Sequence, residues 1–172
     1  MMSGRVLKAF NEQIKEELES AYLYLSMVSY FHSVGFDGMA SWMRVQTEEE
    51  VGHAMKLFDF ISERGGKVEL LPISTERHKR WSSPLEVFQA AYAHEQFITG
   101  KINELVKIAR DENDNAAEIF LQWFVTEQVE EEANTSRVAQ ALERIGDSGH
   151  GLFMMDQKLG ERASASGSAE GE

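Results

Sequence analysis

The chain has 172 residues with two prolines and no cysteine, and its 29 acidic against 17 basic side chains give a net charge of −12. That length fits one domain with a sizeable core, while the missing cysteines exclude a disulfide scaffold, a thiolate nucleophile and a cysteine-held zinc or iron–sulfur site. The acidic excess opposes nucleic-acid binding, which needs a basic stripe. No apolar run reaches the roughly 18 residues of a membrane helix, and the first eight residues lack a signal-peptide core. A cytoplasmic protein with neither a nucleic-acid nor a membrane partner is the expectation.

The first helix is predicted from about Gly4 to His32, because Leu7, Phe10, Ile14, Glu17, Ala21, Tyr24, Val28 and Phe31 alternate three and four apart. Gly35-Phe36-Asp37-Gly38 makes a turn, with Asp37 expected to cap the second helix. That helix should run from Gly38 to Arg64 and stop at Gly65-Gly66, with the inward stripe Met39, Met43, Gln46, Glu50, His53, Leu57, Phe60. Residues 66 to 83 hold Pro72 and show no helical period, and the other proline follows directly in Ser83-Pro84. Extended, they would reach roughly 60 Å against roughly 40 Å for a 27-residue helix, enough to cross a bundle end to end and leave the second and third helices parallel. Ser83-Pro84-Leu85-Glu86 reads as a capping box for a third helix ending near Asp111. Its inner face carries Leu85, Phe88, Tyr92, Glu95, Ile102 and Val106. A fourth helix should start at Asn115, with Glu118 completing a second capping box, and end by Ile145-Gly146. Gly149 to Leu159 forms a short fifth helix, and Ala163 to Glu172 is expected as a disordered tail beyond a single domain of residues 1–162.

Glu17, Glu50, Glu95 and Gln128 each lie in the middle third of their helices, so the four stripes converge on one polar layer. Tyr24, His53 and Glu131 join it. One glutamate on such a stripe is ordinarily an edge residue or a hydrogen-bonded core group. Four carboxylates from four helices are different: each buried ion costs several kcal/mol, roughly, and their mutual repulsion adds to that. No lysine or arginine stands on those stripes at matching depth. A polyvalent cation is the simplest counter-charge. Many carboxylates, one imidazole and no thiolate suit iron or manganese over structural zinc. Glu50 is placed to bridge two ions, with Glu17 and His53 on one side and Glu95 on the other.

Glu17 with Tyr24, Glu49-Glu50-x-x-His53, His94-Glu95, Trp123 and Thr126-Glu127-Gln128-Val129-Glu130-Glu131-Glu132 together resemble the prokaryotic non-haem ferritins, over roughly Val6 to Leu159. Ferritin-like di-iron proteins are the general example of metal sites built inside helical bundles. The resemblance implies an all-α, ferritin-like four-helix bundle with a long crossover between its second and third helices and a short fifth helix, twenty-four copies forming a hollow cage. Its implied activity is that of a ferroxidase, which oxidises Fe(II) with O2 or H2O2 and stores Fe(III) as mineral. Glu17, Glu50 and His53 would hold one iron. Glu50 and Glu95 would hold the second, with Gln128 and Glu131 adjoining. Glu49, Glu127, Glu130 and Glu131 would match a third iron site, and Tyr24 would be an electron donor.

Val51 stands where bacterioferritins place a haem-ligating methionine, so no haem is expected. Glu131 replaces the second histidine of symmetric di-iron bundles. The cysteines of rubrerythrins are missing, as is the basic tail of DNA-protecting mini-ferritins. Asp114 and Glu118 fit either an iron entry channel or helix capping. His94, beside a ligand, should point behind the centre or to the surface. The rival function is a di-iron oxidase or oxygenase acting on an organic substrate, which would need an apolar pocket where Tyr24, Phe58 and Phe124 are expected to pack.

Overall fold

A computed structural model describes residues 2–78 and 80–162. The expected tail, 163–172, lies outside the described residues. Five helices follow in order: α1 (Gly4–Ser33), α2 (Asp37–Glu63), α3 (Pro84–Asp111), α4 (Asn115–Ile145) and α5 (Gly149–Gly160). The four long helices form the bundle. α1 packs along α2 and α3 along α4, while α5 lies against the start of α2.

The core reveals the topology. One apolar cluster joins Met27 and Phe31 near the end of α1 to Met39 and Met43 early in α2, Phe88 early in α3 and Leu142 late in α4. A second joins Phe10 and Ile14 to Leu57, Ile102, Leu121 and Phe124. α2 and α3 therefore run parallel, α1 and α4 opposite to them, as the long crossover requires. Between the two clusters lie the buried polar side chains Gln13, Glu17, Gln46, Glu50, His53, Glu95, Gln128 and Glu131.

The crossover is tied to α1. Asn11 accepts from Glu69 N at 2.9 Å, Glu19 accepts from Ser74 N at 2.8 Å, and Arg77 reaches Glu16 at 2.6 Å and Glu19 at 3.3 Å. Glu16 and Glu19 flank Glu17 on the helix, so these ties hold the crossover against α1 at the depth of the polar layer.

Helix ends show where local reading held. Gly65 takes φ +71°, and Gly66 N returns to Ile61 O at 2.9 Å, closing α2 as its glycine pair predicted. Ser83 Oγ accepts from Glu86 N at 3.2 Å, while Glu86 reaches back to Ser82 N at 2.7 Å rather than to Ser83. Two caps differ from expectation. Asp37 is the first residue of α2 and makes no cap bond; its carboxylate meets His32 Nδ1 at 2.9 Å. Met39 N, near the helix start, is instead satisfied at 2.8 Å by Asp156 of α5. At α4 the cap is Asp114, which accepts from Ala117 N at 3.1 Å. Asn115 is thus already helical, and Glu118, one residue too late for a capping box, bonds Arg110 Nε at 2.6 Å.

α5 approaches α2 closely because Gly38 has no side chain. A Cβ there would fall 1.8 Å from Asp156 O. Gly38→Ala should therefore push α5 off the bundle: amide exchange across residues 149–160 accelerates while the central turns of α1 to α4 stay protected. Unchanged protection of α5 would contradict this account of its seat.

Candidate metal centre

Each bundle helix contributes to the polar layer at helical spacing. α1 supplies Gln13, Glu17, Ser20 and Tyr24; α2 supplies Gln46, Glu49, Glu50 and His53; α3 supplies His94 and Glu95; α4 supplies Glu127, Gln128 and Glu131. Glu17, Glu50, Glu95 and Glu131 are all almost fully buried. Among the described residues no lysine or arginine pairs with any of the four; their close ionic neighbour is His53. Its Nδ1 lies 3.4 Å from Glu50 Oε2 and 3.9 Å from Glu17 Oε2, and its Nε2 lies 3.9 Å from Glu127 Oε1.

Amides orient the carboxylates. Gln13 donates to Glu17 at 2.8 Å, Gln46 to Glu131 at 2.9 Å, and Gln128 to Glu95 Oε2 at 3.1 Å. The Tyr24 hydroxyl donates to the other oxygen of Glu95. Glu17 Oε2 and Glu50 Oε2 remain buried with no hydrogen-bond partner. Two buried, unpartnered carboxylate oxygens within 3.9 Å of one imidazole nitrogen fit a cation site. Glu17, Glu50 and His53 bring ligand atoms within 4.8 Å of one another, as do His53, Glu127 and Glu131.

Protonation follows from burial. Desolvation, then the neighbouring Glu50, raises Glu17 well above the usual carboxylate range. Glu50 is raised likewise by burial and by Glu95 and Glu131. Glu95 is pushed up to about 7 by burial, against the opposing bonds from Tyr24 and Gln128. Glu131 also rises to about 7, through burial and then Glu95. Burial and Glu95 keep the Tyr24 phenol protonated far above its ordinary range.

Of the residues expected at the centre, Glu17, Tyr24, Glu50, His53, Glu95, Gln128 and Glu131 come together. Glu127 borders it, half-buried, and burial raises its carboxyl. Glu49 is half-buried and paired with Arg162 at 2.6 Å; Glu130 is exposed. His94 lies behind the centre and is buried: Ser20 Oγ sits 2.7 Å from its Nε2, and its ring meets Tyr24 edge-on at 6.0 Å. Burial, then Arg77, lowers it to about 4, so it is neutral. Sequence reasoning passed over Gln13 and Gln46 as orienting groups, although each stands four residues before a buried glutamate on the same face. Asp114 is held by both nitrogens of Arg64, at 3.0 and 3.1 Å, besides capping α4.

The fold and this layer define a metal-binding four-helix bundle. A model of the ferritin-like domain matches residues 7–145. Curated relatives include a bacterial non-heme ferritin of Bacteroides fragilis, 42% identical over 94% of this chain and all of that one. A probable bacterial non-heme ferritin-like protein of Haemophilus influenzae is 40% identical over 93% of this chain and 96% of its own. Among solved structures, an open pore ferritin from the archaeon Archaeoglobus fulgidus superposes with a TM-score of 0.92 at 47% identity, covering 95% of this chain and all of that one. The chain belongs to the ferritin-like domain family. Iron storage with ferroxidase activity is the function that membership carries, and iron is its metal.

The raised carboxyls set a pH dependence. Their folded pKa values near 7 lie above the unfolded value of about 4.3, so the stability they contribute is complete below that value and lost as pH rises through about 7. His94 acts oppositely, its contribution complete only above about 6.5. Between pH 6.5 and 8, then, the apparent Tm of metal-free protein should fall. Zn2+, used as a redox-inert probe, should restore it most at the high end while releasing protons. Scanning calorimetry and a pH-stat check both; a flat metal-free profile would refute the assignment of the raised carboxyls.

Proposed function

We propose that Glu17, Glu50, His53, Glu95, Gln128 and Glu131 hold two Fe(II) ions, with Glu50 shared between them, for oxidation by O2 or H2O2. The observation that carries this reading is the pair of buried, donorless oxygens on Glu17 and Glu50, which lie 3.9 and 3.4 Å from His53 Nδ1. Two Fe(II) give up two electrons, the number that takes O2 to peroxide or peroxide to water. Carboxylates suit the harder Fe(III) product and favour the oxidised state.

Tyr24 is the proposed supplementary electron donor. Its phenol is protonated and bonded to Glu95, so a carboxylate stands ready to accept the proton as the electron leaves. Glu49, Glu127 and Glu130, with Glu131, form the proposed third iron site. The fully buried Tyr24 and Phe124 rings occupy the flank that an organic substrate of an oxidase would need, which favours Fe(II) as substrate. No helix of the described residues is long and apolar enough to cross a membrane. That, with the absent cysteines, supports a cytoplasmic place for the protein. By the family's pattern, twenty-four copies close into a cage holding ferric mineral.

Glu50→Ala should slow the initial phase of Fe(II) oxidation at least tenfold, as loss of a shared ligand implies, while leaving the circular dichroism spectrum intact. An unchanged initial phase would remove Glu50 from the centre. Native mass spectrometry should give a 24-mer that takes up hundreds of irons; saturation at two irons per chain would refute storage.

A further inference from the structure

The proposed third site contains a positive charge of its own. Arg162, just past the end of α5, donates from Nη2 to Glu49 Oε2 at 2.6 Å. Its guanidinium carbon lies 4.5 Å from the centroid of the Trp42 ring, and both partners of the ion pair are shielded, with 21% and 23% of their side chains exposed. The other terminal nitrogen, Nη1, is buried without an acceptor. An exposed ion pair would be weak, but one seated on an indole face with a short charge-assisted hydrogen bond is a defined contact.

The placement is built by α5. Asp156 caps Met39 N, Leu159 packs into the apolar cluster beside Met39 and Trp42, and Gly160 meets the backbone of Gly38. These contacts lead the chain along α2 and deliver Arg162 beside Glu49, 113 residues away in sequence. Glu49 lies within electrostatic reach of Glu50, Glu127 and Glu131.

We propose that Arg162 is a resident counter-ion of the third site, withholding Glu49 from metal while α5 is docked on α2. This rests on the reading of Glu49, Glu127 and Glu130 as that site. A guanidinium stays charged at any pH the protein survives, so only a competing polyvalent ion or movement of α5 frees Glu49. With Arg162 in place the centre accepts two ions readily and a third poorly. Arg162 is thus a positioning residue that sets metal stoichiometry, and it couples the third site to the seating of the fifth helix.

The test is Zn2+ binding to the full assembled chain and to R162Q, by anomalous diffraction from crystals soaked alike and by calorimetric titration. The expected result is two ions in the central layer of both proteins and a third, at Glu49, only in R162Q. Third-site affinity should be roughly tenfold or more higher in the variant, the worth of one charge-assisted hydrogen bond. A third ion on Glu49 in both proteins, with equal affinity, overturns the role of Arg162 and leaves the third site standing. Two central ions and no third in either protein overturns the third-site reading itself, and the role of Arg162 with it.

Discussion

Four carboxyl groups at one depth, with no lysine or arginine among them, are the constraint on which the rest of this molecule depends. Burying them is unfavourable unless charge is removed or matched. In the metal-free protein protons remove it, which is why Glu17, Glu50, Glu95 and Glu131 all rise above the usual carboxylate range. The amides of Gln13, Gln46 and Gln128 then satisfy one oxygen on each of three carboxyls, and the Tyr24 hydroxyl a second one on Glu95. The two carboxyl oxygens left buried without a partner, Glu17 Oε2 and Glu50 Oε2, are what an iron ion would complete.

Holding that layer level requires the four helices to keep their axial positions, and long-range ties do so. The crossover is fastened to α1 through Asn11, Glu16 and Glu19, on either side of Glu17. α2 is fixed near its first turn by Asp156, from the other end of the chain. Arg64 clamps the end of α2 to Asp114 at the start of α4. The crossover ties sit at the depth of the layer and the Asp156 and Arg64 ties lie turns away from it, yet none of them uses one of the site's own side chains.

Much of this was legible in the residues. The three-and-four spacing located the helices and their inward faces, the glycine pair and Ser83-Pro84 marked two boundaries, and the length of the crossover implied parallel second and third helices. Glu17, Tyr24, Glu50, His53, Glu95, Gln128 and Glu131 stood out because they interrupt apolar stripes at equal depth. What escaped was decided by distant partners. Asp37 looks like a cap locally, yet Met39 N takes its acceptor from Asp156, 117 residues on. Glu118 looks like half of a capping box, but the cap falls one residue earlier, on Asp114, whose carboxylate Arg64 also holds. Glu49 looked free for metal, and nothing near it in sequence announces Arg162. Stripes are local and periodic; ion pairs between remote helix ends are neither.

The polar layer also divides the interior into two apolar compartments, one around Met27, Met43 and Phe88 and the other around Phe10, Leu57 and Phe124. Side chains can shift to fill a void only where their neighbours are free to follow. A floor of oriented amides and carboxyls stops such movement. Damage in one compartment therefore stays there: a cavity opened beside Met43 cannot be relieved by anything below Glu50, and substitutions on opposite sides of the floor should add without interaction. The chain can evolve its two halves separately, so long as the floor between them stays level.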